Sequence, residues 1–66
     1  MKAWQERILV EYKELKDRLQ NLDTFINSSK IDILKKEDKI LLIRQYQCMK
    51  GYAEILELRI KNFEEK

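Results

Sequence analysis

The stretch ILLIRQYQCMKGYAEILELRIKNF, residues 40–63, carries two apolar stripes. Leu42, Tyr46, Met49, Ala53, Leu56, Ile60 and Phe63 recur at alternating spacings of four and three. That is the a/d pattern of a helix packed along one seam. One residue earlier runs a second series with the same alternation, Leu41, Gln45, Cys48, Tyr52, Ile55 and Arg59, apolar except at Gln45 and Arg59. A helix with two adjoining seams needs two partners. The chain has one other long helical pattern, so the second seam predicts a further copy of the chain, with any functional surface close to it.

That other pattern lies in the first third of the chain. Ile8, Tyr12, Leu15, Leu19, Leu22 and Ile26 follow a single 4-3 seam, backed by a polar face that includes Glu6, Lys13, Asp17 and Gln20. No Gly or Pro interrupts it, and strong helix formers fill it. Glu14 and Arg18 stand at i,i+4 in the favourable orientation. The spacing predicts a helix from about residue 2 to residue 26, a connection over 27–35, and a second helix from about 36 to 64. In the connection, Asn27-Ser28-Ser29 is expected to end the first helix, since Asn tolerates the left-handed C-terminal conformation and Ser side chains compete for its hydrogen bonds. Ser28 or Ser29 is expected to cap a short helical turn that folds Ile31, Ile33 and Leu34 over the end of a hairpin. Glu37 and Asp38 suit the first turn of the second helix, where the dipole favours negative charge. Gly51 inside that helix has two readings, a tolerated surface glycine or a point of close approach.

Antiparallel pairing of the two helices sets Leu22 against Tyr46, Leu19 against Met49, Leu15 against Ala53, Tyr12 against Leu56 and Ile8 against Ile60. On one flank of that seam Phe25 then faces Gln45, Arg18 faces Tyr52, and Glu11 faces Arg59. On the other, Asp23 faces Ile43, Lys16 faces Lys50, and Leu9 faces Glu57. Trp4 is expected to lie as a lid on Phe63 and Ile60 at the open end. The expected fold is all-α: one hairpin domain over residues 1–66, coiled-coil-like, assembling into a homo-oligomeric helical bundle.

Size and composition agree. A chain of 66 residues buries only about 60% of its unfolded surface and is marginal alone. One cysteine and no histidine leave no internal disulfide and no zinc ligand set. Charged residues are 39% and apolar ones 44%, with one Gly and no Pro, the composition of a long-helix protein. A net charge of +2 with interleaved signs gives no nucleic-acid footprint. The longest apolar run, residues 40–43, falls far short of the roughly 20 residues of a membrane span. The charged start lacks a signal-peptide core, and the chain reads as cytosolic.

Catalysis is poorly supplied. There is no His for general base work and no Gly-rich phosphate loop. Ser28 and Ser29 have no base, and Cys48 reads as a buried small apolar residue. Cofactors and metals have no evident place. Recognition of a small molecule is better supplied. Arg18 and Arg59 are forks for phosphate, Tyr52 offers a face for a base, and Gln45 and Glu11 offer hydrogen bonds, all on one flank. Paired hairpins would bring these groups together across a two-fold axis. The plainer alternative is a rim ion pair, Glu11–Arg59, beside an ordinary interface tyrosine.

Trp4-Gln5-Glu6-Arg7, Glu11-Tyr12, Glu14-Leu15, Arg18-Leu19, Leu22 and Phe25-Ile26, followed by Leu41-Leu42, Gln45, Met49, Tyr52, Ile55-Leu56 and Arg59-Ile60, resemble small helical-hairpin proteins of tailed bacteriophages. The resemblance covers nearly the whole chain. It departs at Lys35, where Ser or Asp is expected as helix cap. It implies an anti-defence protein, and one class of these is a sponge: a compact homo-oligomer whose pockets sequester a host immune signal such as a cyclic ADP-ribose isomer or a cyclic dinucleotide. On that reading Arg18 and Arg59 hold phosphates, Tyr52 stacks on a base, and Gln45 and Glu11 bond base or ribose. The rival reading is a protein-binding module that docks through the second seam. A structural oligomer without ligand is a third.

Overall fold

The computed structural model describes residues 1–63. Helix α1 spans Ala3–Ile26, a short 3-10 helix spans Ser29–Ile33, and helix α2 spans Lys36–Phe63. The two long helices lie against each other in a hairpin 48 Å long and 15 Å across. The expected helix limits agree closely, with Lys2 capping α1. The expected end of α2 at Glu64 lies outside the described residues, as does the Glu64-Glu65 pair.

The predicted seams form the core. Ile8 and Leu15 of α1 are buried against Ala53 and Leu56 of α2, and Leu56 is fully enclosed. Tyr12, Leu19, Met49, Ile60 and Phe63 pack around these four. Toward the closed end Leu22, Ile26, Leu42 and Tyr46 are half-buried. A two-helix layer shields only the residues on its midline, which is why so few side chains are enclosed.

The connection departs from expectation in two places. Asn27 is not left-handed: it takes φ −90°, ψ 4°. Its side-chain Nδ2 donates instead to the Asp23 carbonyl at 2.9 Å and the Asp23 carboxylate at 3.0 Å, satisfying the helix end without a positive φ. Ser28 caps the 3-10 turn as expected, its Oγ accepting from the Lys30 amide at 3.2 Å while donating to the Phe25 carbonyl at 2.8 Å. Ile31 and Leu34 fold inward, but Ile33 is 81% exposed. A 3-10 turn repeats every three residues, so Ile31 and Leu34 share one side and Ile33 cannot join them. Lys39 reaches back to Asp32 at 3.3 Å and ties the turn to the start of α2. At Lys35 the backbone alone opens the helix, its carbonyl accepting from the Lys39 amide at 3.0 Å.

Candidate functional site

The second seam of α2 lies open along the hairpin. Leu41 is 61% exposed, Ile55 54% and Tyr52 45%. Cys48 is exposed as well, so within one chain it is not the buried residue expected. Gly51 beside them has no atom within 4 Å of where a Cβ would stand. No helix among the described residues is long and apolar enough to cross a membrane.

The flank beside this seam holds the five predicted site residues, in three stations rather than one cluster. The middle station is a pair: the Tyr52 hydroxyl donates to the Glu11 carboxylate. This replaces the expected pairings of Glu11 with Arg59 and of Tyr52 with Arg18. A position that recurs every seven residues has two possible partners on the facing helix, one heptad apart. Side-chain chemistry chooses between them. A phenol bonded to a carboxylate is a short charge-assisted bond, whereas an exposed ion pair contributes little. The hydrogen bond to Glu11 raises the Tyr52 pKa above the ordinary tyrosine value. Desolvation and the charge of Glu11 act the same way, and the positive charge of Arg59 opposes them.

At the second station Arg18 shares a shallow cleft with Phe25, Gln45 and Met49. Its guanidinium pairs with Glu14 at 3.8 Å, the i,i+4 pair legible in the sequence. Gln45 lies over Met49, with Nε2 3.8 Å from the sulfur. At the third station Arg59 lines a cleft at the open end with Trp4, Gln5, Asn62 and Phe63. Trp4 packs edge-on against Phe63, with ring centroids 5.4 Å apart and planes at 88°, as the expected lid. Gln5 Oε1 accepts from the Lys2 amide at 2.9 Å. Gln5 belongs to the run that carries the resemblance but was not placed in the site, and Asn62 was not singled out from the sequence. The signal was their spacing from Trp4 and Arg59 at the two helix ends that the hairpin brings together.

The opposite flank carries a second tyrosine–carboxylate bond. The Tyr12 hydroxyl reaches from the edge of the core to donate to Glu57 at 2.9 Å, the glutamate that Leu9 was expected to face. Lys16 lies 5.5 Å over the Tyr12 ring. The bond to Glu57 is the main reason that the Tyr12 pKa is raised, with desolvation second and the Glu57 charge third, against the lowering effect of Lys16. A groove there holds Lys13 and Lys16 beside Tyr46, but Asp17 and Asp23 line it too and offset the lysines toward an anion.

The Sequestin family model matches residues 2–62 of the chain. This chain belongs to the Sequestin family. It is 38% identical over 63 residues to a protein of Enterobacteria phage T4 described as an uncharacterized 7.5 kDa protein in the denB-rIIB intergenic region. The match covers 96% of this chain and 98% of that protein. No solved structure matches. The family name points to sequestration, and the relative is a small phage protein, as the resemblance implied.

Proposed function

We propose that this Sequestin family member binds and sequesters a nucleotide immune signal of the host, of the cyclic ADP-ribose or cyclic dinucleotide type, in pockets between subunits and without catalysis. The observation that carries the reading is the flank: a tyrosine ring held by Glu11, with an arginine one heptad to either side, bordering an unpartnered apolar seam. Arginine forks suit phosphates and the tyrosine face suits a base. Self-association has a physical motive. The accessible surface is 5595 Å², roughly 1100 Å² above the ~4500 Å² typical of a compact protein of 8.1 kDa. A standard interface takes about 800 Å² from each partner. The signal would be met in the host cytoplasm.

Isothermal calorimetry of the purified protein against cyclic ADP-ribose isomers and cyclic dinucleotides tests this. Tight binding by one of them, with Arg59→Ala losing the ligand while the oligomer survives, is the expected result. Absence of heat with every member would remove the sponge reading for these signals. The exposure of Leu41 and Ile55 favours one other reading, a module that docks its second seam on a host or phage protein. There Ile55→Asp would abolish function and Arg59→Ala would be tolerated.

A further inference from the structure

Arg18 and Arg59 stand on opposite sides of the Glu11–Tyr52 contact. Arg18 follows Glu11 by seven residues toward the closed end, and Arg59 follows Tyr52 by seven toward the open end. Seven helical residues span about 10 Å, so in one chain the two arginine positions are about 20 Å apart along the hairpin. With Tyr52 and Glu11 occupying the station between them, they do not close on one pyrophosphate. They also line separate clefts, Arg18 with Gln45 and Arg59 with Trp4.

A second copy removes the separation. In the second seam the polar members Gln45 and Arg59 lie seven residues before and seven after Tyr52. A two-fold axis crossing α2 at Tyr52 therefore sets Gln45 of one chain opposite the partner's Arg59, an acceptor against a donor fork. The apolar Cys48 and Ile55 of opposite chains then come within one residue of level on either side of the axis. Sliding the partner by one turn, which moves the axis by two residues to Lys50, sets Arg59 against the partner's Leu41 and leaves the guanidinium without a hydrogen-bond partner. Parallel packing sets Arg59 against the partner's Arg59, two like charges.

We infer that the chain forms an antiparallel dimer through the second seam, in which each nucleotide pocket joins Arg18 and Gln45 of one protomer to the partner's Arg59 and the partner's Trp4. The two arginines grip one phosphate group from opposite chains, beside the partner's indole. This rests on the sponge reading for its ligand, but its geometry can be read without one. Two pockets per dimer give one ligand per chain.

The test is complementation between differently tagged chains, one carrying Arg18→Ala and the other Arg59→Ala, co-expressed and purified through both tags. Cyclic ADP-ribose and cyclic di-AMP serve as first probes. Each variant alone should lose at least tenfold in affinity, because both of its pockets are damaged. The mixed dimer keeps one intact pocket and should bind one ligand per dimer with wild-type affinity. A mixed dimer that regains no binding, or two tags that fail to co-purify, overturns the arrangement. If the wild type itself binds neither probe, nor any other member of the panel, the ligand reading fails and crosslinking decides the geometry. In a Cys48→Ala background, a short bis-maleimide should join an Arg18→Cys chain to an Arg59→Cys chain. Failure of that crosslink, or an Arg59→Cys chain joined to its own kind, overturns the antiparallel dimer.

Discussion

At Tyr52 the ring and the hydroxyl have separate roles. The hydroxyl holds Glu11 across the hairpin, which orients the ring, while 45% of the side chain remains exposed beside the second seam. If the ring face takes the base, Tyr52→Phe keeps most of the affinity and Tyr52→Ala loses tenfold or more, in keeping with about 1–3 kcal/mol for a stacked base. Calorimetry on the two variants separates them. Tyr52 and Tyr12 also give a pH dependence. Both phenols titrate above the ordinary tyrosine value of 10.0, chiefly because a carboxylate accepts their hydrogen bond. A pKa raised in the folded state stabilises the fold at pH values below the unfolded tyrosine value. That contribution is lost as pH rises through the folded value. Spectrophotometric titration at the tyrosinate band should show Tyr12 and Tyr52 ionising late, and Glu57→Gln should bring Tyr12 back toward the ordinary value. The choice of Tyr52 rather than Arg59 as the partner of Glu11 was not legible in the sequence. Heptad spacing leaves the flank partner ambiguous by seven residues, and only the reach of the phenol resolves it.

Among the elements, α2 holds the midline of the core and most of the open surface. Leu56 is its one fully enclosed side chain. Leu56→Ala removes packing from both helices and should cost about 2–5 kcal/mol. A hairpin this small has little to lose, so circular dichroism on heating should show a large drop in melting temperature or no folded baseline. Gly51 has the opposite sign. It is helical, without a positive φ, and no atom lies near the site of its missing Cβ. Gly51→Ala should therefore raise the melting midpoint, by up to about 1 kcal/mol of helix propensity. Between the helices, Ser28 could be read as a cap because its chemistry acts on neighbours two and three residues away. The turn's handedness at Asn27 could not, because an Asn side chain satisfies a helix end equally well from a negative φ.

For the whole molecule the governing fact is surface. Ten large apolar side chains stand exposed among the described residues, against three, Ile8, Leu15 and Leu56, buried in the core with Ala53. A single hairpin cannot enclose both seams of α2. Ile55→Asp places a charge in the middle of the open seam and should shift the protein from dimer to monomer in analytical ultracentrifugation. The same change should lower the melting temperature and remove its dependence on protein concentration.

Helix number, helix limits, the buried seam and the existence of a second seam followed from the sequence by itself. Each rests on periodicity and local capping chemistry, which act over a few residues and need no knowledge of what lies opposite. Tertiary structure alone decided that Glu11 meets Tyr52, that the Tyr12 hydroxyl reaches Glu57 from the edge of the core, that Ile33 faces outward, and that Arg18 and Arg59 lie in separate clefts. Those outcomes depend on how far a side chain reaches across a gap between helices, a distance that the order of residues along either helix does not contain.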